Sequence, residues 1–524
     1  MVGTVAFVVS LLAAARTCAA TTLVPHKPPP VPACEDFATY STRPEGTPSS
    51  GPLGLPLMRP ALACRTFNSS AVEKVVANLT SRMKDPDLAR MFENTYPNTL
   101  DTTIKWFDDN LTFVVTGDIP AEWLRDSVNQ FKVYLPLVNQ DPPLQQLTRG
   151  VINLQARYIT EFPYCNAFQP PPESGLPPQT GSGDTGAAIS PHDNMTIVWT
   201  CGYELDSLLS FLQLSRRYFE STGDQSIFTF NNGGWFNAVE NVLQVIHDQA
   251  VPTYDVEGNV ISFYNISGPN QQYMKNDGRG PPKANTGLIG TTYRPSDDVV
   301  YFPYNIPHQA MAVVELRGLA SLLTQVNMRP DLAQEATARA QTVEAALWAH
   351  GTVLTKTWGE VFAYEVDGYG GAAIQDDPNL PSLVSIPYLG FLNVTNEIYA
   401  NTRKMVLSTE GNPYYGFGPV IKGVSSPHID EKHVWPMGLV TEVVTGTDDA
   451  DILLKLEYLK NTTTGLGLMH ESVNTHDAAD YTRPWFAWAN SYFGEAILQL
   501  AETKPHLLFA DGMPFNLTAV LAGS

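Results

Sequence analysis

Asp297 and Asp298 stand side by side in "TYRPSDDVVYFPYNIPHQ", just after Arg294 and among Tyr293, Tyr301, Phe302 and Tyr304. Neighbouring carboxylates repel each other, so a dry site around them would raise the pKa of one and let it hold a proton at neutral pH. Glu471 occupies a second cluster, "LMHESVNTHDAADYTRPWFAWANSYFGE", with His470 beside it and Arg483, Trp485, Phe486, Trp488 and Asn490 close behind. A third, "TGDIPAEWLRDSVNQ", sets Asp118, Glu122, Arg125 and Asp126 among Ile119, Trp123 and Leu124, where a solvated charged face would not need the Trp and Leu. Further carboxyls, Glu365, Asp367, Asp376 and Asp377, lie in "YEVDGYGGAAIQDDPNLPSLVSIPYLG". A carboxylic acid that protonates a departing oxygen, with a carboxylate that activates water or attacks, is the equipment of glycoside hydrolysis.

Each cluster also has a plainer explanation. Asp297 or Asp298 could cap the helix that follows. Trp485 and Trp488, three residues apart, could be a core stripe. Glu471 could sit on the surface after a turn, and a single His470 is more often structural than a metal ligand. Other chemistries lack their signatures: there is no HExxH, CxxC or P-loop, and "GYGG" does not sit between a strand and a helix as phosphate binding requires. No GxSxG elbow presents a serine nucleophile.

The elements that must position these loops read as helices. "YELDSLLSFLQLSRRYFESTG" places Leu205, Leu208, Leu209, Leu212 and Phe219 near helical spacing and stops at Gly223. "HQAMAVVELRGLASLLTQV", "PDLAQEATARAQTVEAALWAHG" and "DDADILLKLEYLKNTT" behave alike, and strand-like alternation is scarce. Helices packed pairwise in a ring would gather the loops between them at one end. Residues 61–524 are expected to form one such catalytic domain. Residues 21–60, rich in Pro, Ser and Thr, read as an irregular leader, and residues 166–192 as a long surface loop.

The first twenty residues carry an apolar run from Val5 to Ala15 and small residues at Cys18, Ala19 and Ala20, the pattern of a cleaved signal peptide. Its loss would leave Cys34, Cys64, Cys165 and Cys201, enough for two disulfides in an oxidising compartment, with the pairing open. Eight N-x-S/T sequons, at Asn68, Asn78, Asn110, Asn194, Asn265, Asn393, Asn461 and Asn516, agree with a secretory route. No later segment reads as transmembrane. With 32 Lys and Arg against 53 Asp and Glu, a net charge of −21 repels nucleic acid and anionic membrane surfaces, so a neutral substrate fits better.

The strings "TGDIPAEWLRDSVNQ", "CGYELDSLLSFLQLS", "YRPSDD", "AYEVDGYG", "DDPNLPSLVSIPYLG", "NPYYGFG", "SSPH", "VWPMGL", "MHESV" and "TRPWFAWANS" together resemble glycoside hydrolase family 125, the exo-acting α-1,6-mannosidases, in order from residue 66 to 500. The resemblance implies an (α/α)6 barrel and cleavage of an α-1,6-linked mannoside or mannan with inversion at the anomeric carbon, without metal or cofactor, by a monomer. Carried over by motif, the general acid is an Asp of "RPSDD", Asp298 ahead of Asp297, and the general base is Glu471. Trp123, Arg125, Asp126, Asp206, Arg294, Asp367, His428, His470, Arg483, Trp485 and Asn490 are the implied sugar contacts. In an inverting enzyme the two carboxyls face each other across roughly 6.5–9.5 Å, and an exo-enzyme closes its pocket at one end. The leader and the 166–192 loop fall outside the pattern and look like additions of a secreted, fungal-type member. Two alternatives share many of these features: another (α/α)6 α-glycosidase, glucosidase or trehalase-like, and a secreted sugar-binding protein that has lost catalysis. The presence of both the Asp pair and Glu471 speaks against the second.

Overall fold

The computed structural model describes residues 34–43, 46–179, 187–268 and 276–522. The signal peptide and the first part of the leader fall outside the described residues. Glu35–Ser524 form one compact unit, and the other unit, Met1–Cys34, is described only at Cys34.

Among the described residues there are twelve α-helices of eight or more residues: α1 (Ser70–Arg82), α2 (Pro86–Thr95), α3 (Leu124–Phe131), α4 (Pro142–Glu161), α5 (Leu205–Thr222), α6 (Gly234–Ala250), α7 (Ile306–Val326), α8 (Pro330–His350), α9 (Glu397–Val406), α10 (Pro436–Val444), α11 (Asp449–Asn461) and α12 (Ala487–Thr503). Local chemistry sets their ends. Ser69, Asp85, Asp141, Asn305, Asn396 and Asp448 each accept a backbone N–H of the first turn of the helix that follows. Gly223, with φ +66°, ends α5 where the chain turns into the left-handed region. Because Asn305 caps α7, neither Asp297 nor Asp298 is needed as a helix cap.

Burial separates an inner from an outer ring. All eight residues of α3 are buried, whereas α8 exposes much of its length. The inner helices pack in the order α12, α3, α5 and α7, with α10 on the other side of α12 and the one-turn helix Ile386–Leu389 against α7. Outer partners lie behind them, α8 on α7, α11 on α10 and α6 on α4. This is the expected (α/α)6 barrel.

Small sheets tie together the segments that lead into the inner helices. Glu122–Trp123 runs into α3 and pairs through Ala167–Phe168 to Val198–Thr200. Tyr304–Asn305 runs into α7 and pairs with Glu365–Val366. A five-stranded antiparallel sheet, Tyr415–Phe417, Lys422–Ser426, Asp430–Val434, Ser472–Asn474 and Tyr481–Thr482, leads into α10 and α12. The N-termini of the inner helices thus gather at one end, where their partial positive charge faces the loops.

Two expectations about chain organisation need correction. The second half of the Pro-rich stretch is irregular but not detached. Leu55 and Met58 are buried, Asp87 accepts the Leu53 and Leu55 N–H groups, Asn94 accepts that of Met58, and Arg59 pairs with Asp101 and Glu73. Side-chain acceptors replace the regular backbone partners that proline-rich chain cannot form, so composition alone misplaced the boundary. The 166–192 excursion likewise begins inside the body, since Ala167 and Phe168 are buried and Phe168 stacks on Tyr158 at 4.2 Å. A Cys165–Cys201 disulfide closes the base of this excursion, which settles that pairing. Cys34 and Cys64 are each disulfide-bonded too.

Candidate active site

Arg125 is the second residue of α3, and the helix start buries its guanidinium at the gathered end of the barrel. Four carboxyls surround it. Its Nη1 lies 2.7 Å from Glu204 Oε2 and 3.4 Å from Asp206 Oδ2, and its Nη2 lies 3.3 Å from Asp297 Oδ1 and 3.4 Å from Asp126 Oδ2. Trp488, in the first turn of α12, sits under the guanidinium at 5.4 Å. Asp206 also meets His308 Nε2 at 2.9 Å, so α3, α5 and α7 share one polar junction.

One guanidinium cannot neutralise four carboxylates. Burial drives Glu204 well above the usual carboxylate range against the pull of Arg125, with Asp297 and Asp206 adding to the rise. Burial likewise raises Asp126 to about 7. Burial pushes Asp297 up as well, but Arg125, the Glu204 hydrogen bond and His428 outweigh it and hold its carboxyl below the usual range. The cluster therefore keeps protons at neutral pH, with Glu204 as the main holder. The Asp297 side chain is also the most open of the group, 39 % exposed, and its φ of +66° is rare for a residue with a Cβ.

Asp298 points to a neighbouring corner. It accepts the Ser426 hydroxyl at 2.9 Å and that of Ser296 at 3.4 Å, and His428 Nδ1 stands 3.6 Å away. Ser296 also donates to Asp377, whose carboxyl burial raises to about 7. Burial disfavours charge on His428, but Asp298 first, then Asp297 and Glu471, raise it to about 9. His428 therefore lies within electrostatic reach of all three expected catalytic carboxyls. The loop is pinned from beneath by Arg294, fully buried and bonded to Glu365 at 2.6 and 3.1 Å. Glu365 in turn accepts the N–H groups of Tyr301 and Phe302.

Glu471 hangs from Arg483. Arg483 Nη1 donates to it at 3.2 Å, while Nε donates to Asp118 at 2.7 Å. Arg483 too has a left-handed φ, +54°. Its field reaches Asp126, which joins this corner to the Arg125 cluster. Gly117, at φ +134°, lets the chain pass close to this side chain, since a Cβ there would meet Arg483 Nη2 at 3.3 Å and Trp485 at 3.5 Å.

The structure thus brings Arg125, Asp126, Asp206, Asp297, Asp298, His428, Glu471 and Arg483 into one polar region, with Arg294 supporting it. Five other residues implied by the resemblance have partners of their own. Asp367 accepts the Tyr369 and Gly371 N–H groups of its own turn at 2.7 and 2.8 Å. Asn490 spends both ends of its amide on backbone, accepting from Met469 N and donating to Phe486 O. Trp485 packs edge-on against Phe37 in a small apolar cluster with Met58, Leu466 and Leu468, apart from Trp488, so the two do not form one core stripe. His470 stacks on Tyr481 at 3.9 Å with Nδ1 3.0 Å from the Arg483 carbonyl, and burial lowers it to about 4, so it is a neutral support. Trp123 is 8 % exposed in a cluster with Ala121, Ala167 and Trp199. Glu204 and Asp118 were not singled out as contacts. Glu204 was legible in principle, being two residues before Asp206 in "CGYELDSLL" and at the N-cap of α5.

Comparison with known proteins places the chain among metal-independent alpha-mannosidases. The model of the metal-independent alpha-mannosidase family GH125 matches residues 85–498. The "Meiotically up-regulated gene 157 protein" of Schizosaccharomyces pombe is 47 % identical over 488 residues, covering 91 % of this chain and 94 % of the relative. A solved metal-independent alpha-mannosidase of Streptococcus pneumoniae, in a non-productive complex with alpha-1,6-mannobiose, superposes with a TM-score of 0.76 at 32 % identity, covering 83 % of this chain and 98 % of that one.

Proposed function

Because the chain belongs to the GH125 metal-independent alpha-mannosidases, we propose that it removes terminal mannose from α-1,6-linked mannosides by single displacement with inversion. Family membership separates it from the glucosidase and trehalase-like barrels. The observation that carries the finer reading is the gathering of Asp297 against Arg125, Asp298 against His428 and Glu471 against Arg483 in one polar region. The α-1,6 linkage is supported by the mannobiose bound to the Streptococcus pneumoniae relative.

In this reading Glu471 draws a proton from the attacking water, with Arg483 fixing its carboxylate. Asp298 protonates the departing oxygen. Arg125 holds Asp297 ionised, which makes Asp297 the poorer proton donor of the two. Asp298 instead turns away from Arg125 toward the Ser426 and Ser296 hydroxyls and His428, at the corner where the leaving group departs in this reading. Arg125, Asp126, Glu204 and Asp206 are almost wholly buried and form the floor on which the hydroxyls of a terminal mannose rest, since a buried polar set of this kind discriminates sharply for matching hydroxyls. The sequon asparagines are all exposed or half-buried, and the disulfides fit an oxidising compartment, which supports passage of a glycosylated monomer through the secretory pathway.

The test is release of mannose from a reducing-end-labelled α-1,6-mannotriose by the wild type and by Glu471→Gln. Stepwise loss of single mannoses from the unlabelled end is expected, with turnover falling about 1,000-fold in the variant while the fold is retained. Internal cleavage would remove the exo reading, and near-normal turnover of Glu471→Gln would remove its role as base.

A further inference from the structure

The string "NPYYGFG" is part of the family resemblance, yet nothing in the mechanism above uses it. Its Tyr414 lies against the catalytic corner. The Tyr414 carbonyl accepts the Ser425 N–H at 2.7 Å and the Ser425 hydroxyl at 2.6 Å, and the next residue, Ser426, donates to Asp298. Tyr301 approaches the same corner from the other side. It follows the Asp pair by three residues, its N–H is held by Glu365 at 2.9 Å, and Arg294 covers one face of its ring at 4.3 Å. The two phenols meet, hydroxyl to hydroxyl, at 3.3 Å. Tyr301 nevertheless remains 49 % exposed, so its uncovered face looks outward. Through Ser425 and Ser426 the Tyr414 backbone connects to Asp298, and the charge of Asp298 reaches the Tyr414 hydroxyl.

A rigid, half-exposed aromatic ledge next to a proton donor has a direct chemical reading. The general acid of a glycosidase stands on the side of the departing group, because it protonates the oxygen that leaves. An aromatic face beside it meets the apolar C–H face of the next sugar, and Tyr keeps a hydroxyl for that sugar's polar edge. We propose that Tyr301 and Tyr414 form the leaving-group subsite, a two-tyrosine platform that binds the mannose released from the reducing side of the scissile bond. This rests on the assignment of the acid to the Asp297–Asp298 loop. The terminal mannose is recognised by the Arg125 floor, and the platform sets the preference for a sugar over a smaller leaving group.

The experiment compares kcat/KM on α-1,6-mannobiose with kcat/KM on α-mannosyl fluoride, whose leaving group carries no sugar, for wild type, Tyr301→Ala, Tyr414→Leu and Tyr301→Phe. Tyr301→Ala and Tyr414→Leu are each expected to lose about 10-fold on mannobiose, the range of an aromatic contact, and far less on the fluoride. Tyr301→Phe keeps the ring and should keep most of the mannobiose rate. Equal loss on both donors, or no loss on mannobiose, in whichever alanine or leucine variant is obtained folded would overturn the platform. Failure of the functional reading looks different: the wild type itself would leave mannobiose uncut, and the ratio would then be taken on the mannoside it does cleave.

Discussion

Arg294 and Arg125 are both buried arginines a short way apart in the same polar end of the barrel, and they are paired in opposite styles. Arg294 meets one carboxylate, Glu365, through two hydrogen bonds, and the remaining capacity of Glu365 goes to two backbone N–H groups. Charge is balanced one to one, which suits a part that only has to hold the Asp297–Asp298 loop still. Arg125 meets four carboxyls and balances none of them fully. Such a cluster costs folding free energy, stores protons on Glu204 and Asp126, and favours a ligand that brings hydroxyls to share. A balanced ion pair is scaffold, and an unbalanced one marks where the substrate goes.

Breaking the balanced pair should have the largest effect on stability. Arg294→Met strands Glu365 without a partner and should cost about 3–5 kcal/mol in denaturant unfolding, whereas Arg294→Met with Glu365→Leu should recover most of that. Arg125→Met should be milder for the fold, because Asp297 can take up a proton when its cation leaves, yet it should abolish most turnover. If Arg125→Met proves the more destabilising of the two, the contrast between scaffold and site fails.

Asp298→Asn comes next in size. About a 100-fold loss on α-1,6-mannobiose is expected, with a much smaller loss on an aryl mannoside whose leaving group needs little protonation. The same swap at Asp297 should affect the two substrates alike, since that carboxyl acts through Arg125. The smallest effect concerns pH. His428 has a folded pKa of about 9 against an ordinary value of 6.5, so its contribution to stability is full below 6.5 and is lost as pH rises through about 9. His428→Gln should therefore narrow the difference in unfolding free energy between those two pH values, as denaturant titrations at each would show.

What could be read from the sequence follows the same divide. Arg125 and Asp126 stood out as charges set beside Trp123 and Leu124, and Asp206 was implied by the family resemblance; all three lie in the first turns of inner helices that face the loops. Asn490 has a residue type that sugar sites use, but it lies one residue too far into α12, where its amide reaches back to Phe486. Trp485 precedes that helix and turns under the loop onto Phe37, a contact made by a segment that composition had marked as an irregular leader. Those errors share a cause: residue type signals possible chemistry, while direction depends on partners distant in the chain. The raised pKa of Glu204 was invisible for the same reason, being driven by burial, with Asp297, distant in the chain, adding to it and Arg125 opposing it.

The central claim is that Glu471 activates water on one side of the sugar while the Asp298 corner releases the leaving group on the other. Time-resolved proton NMR of α-1,6-mannobiose hydrolysis reads this directly, because the anomer formed first reports the face that water attacked. The account predicts β-mannose first, with the α-anomer growing in only by mutarotation, and α-mannose as the first product would contradict it.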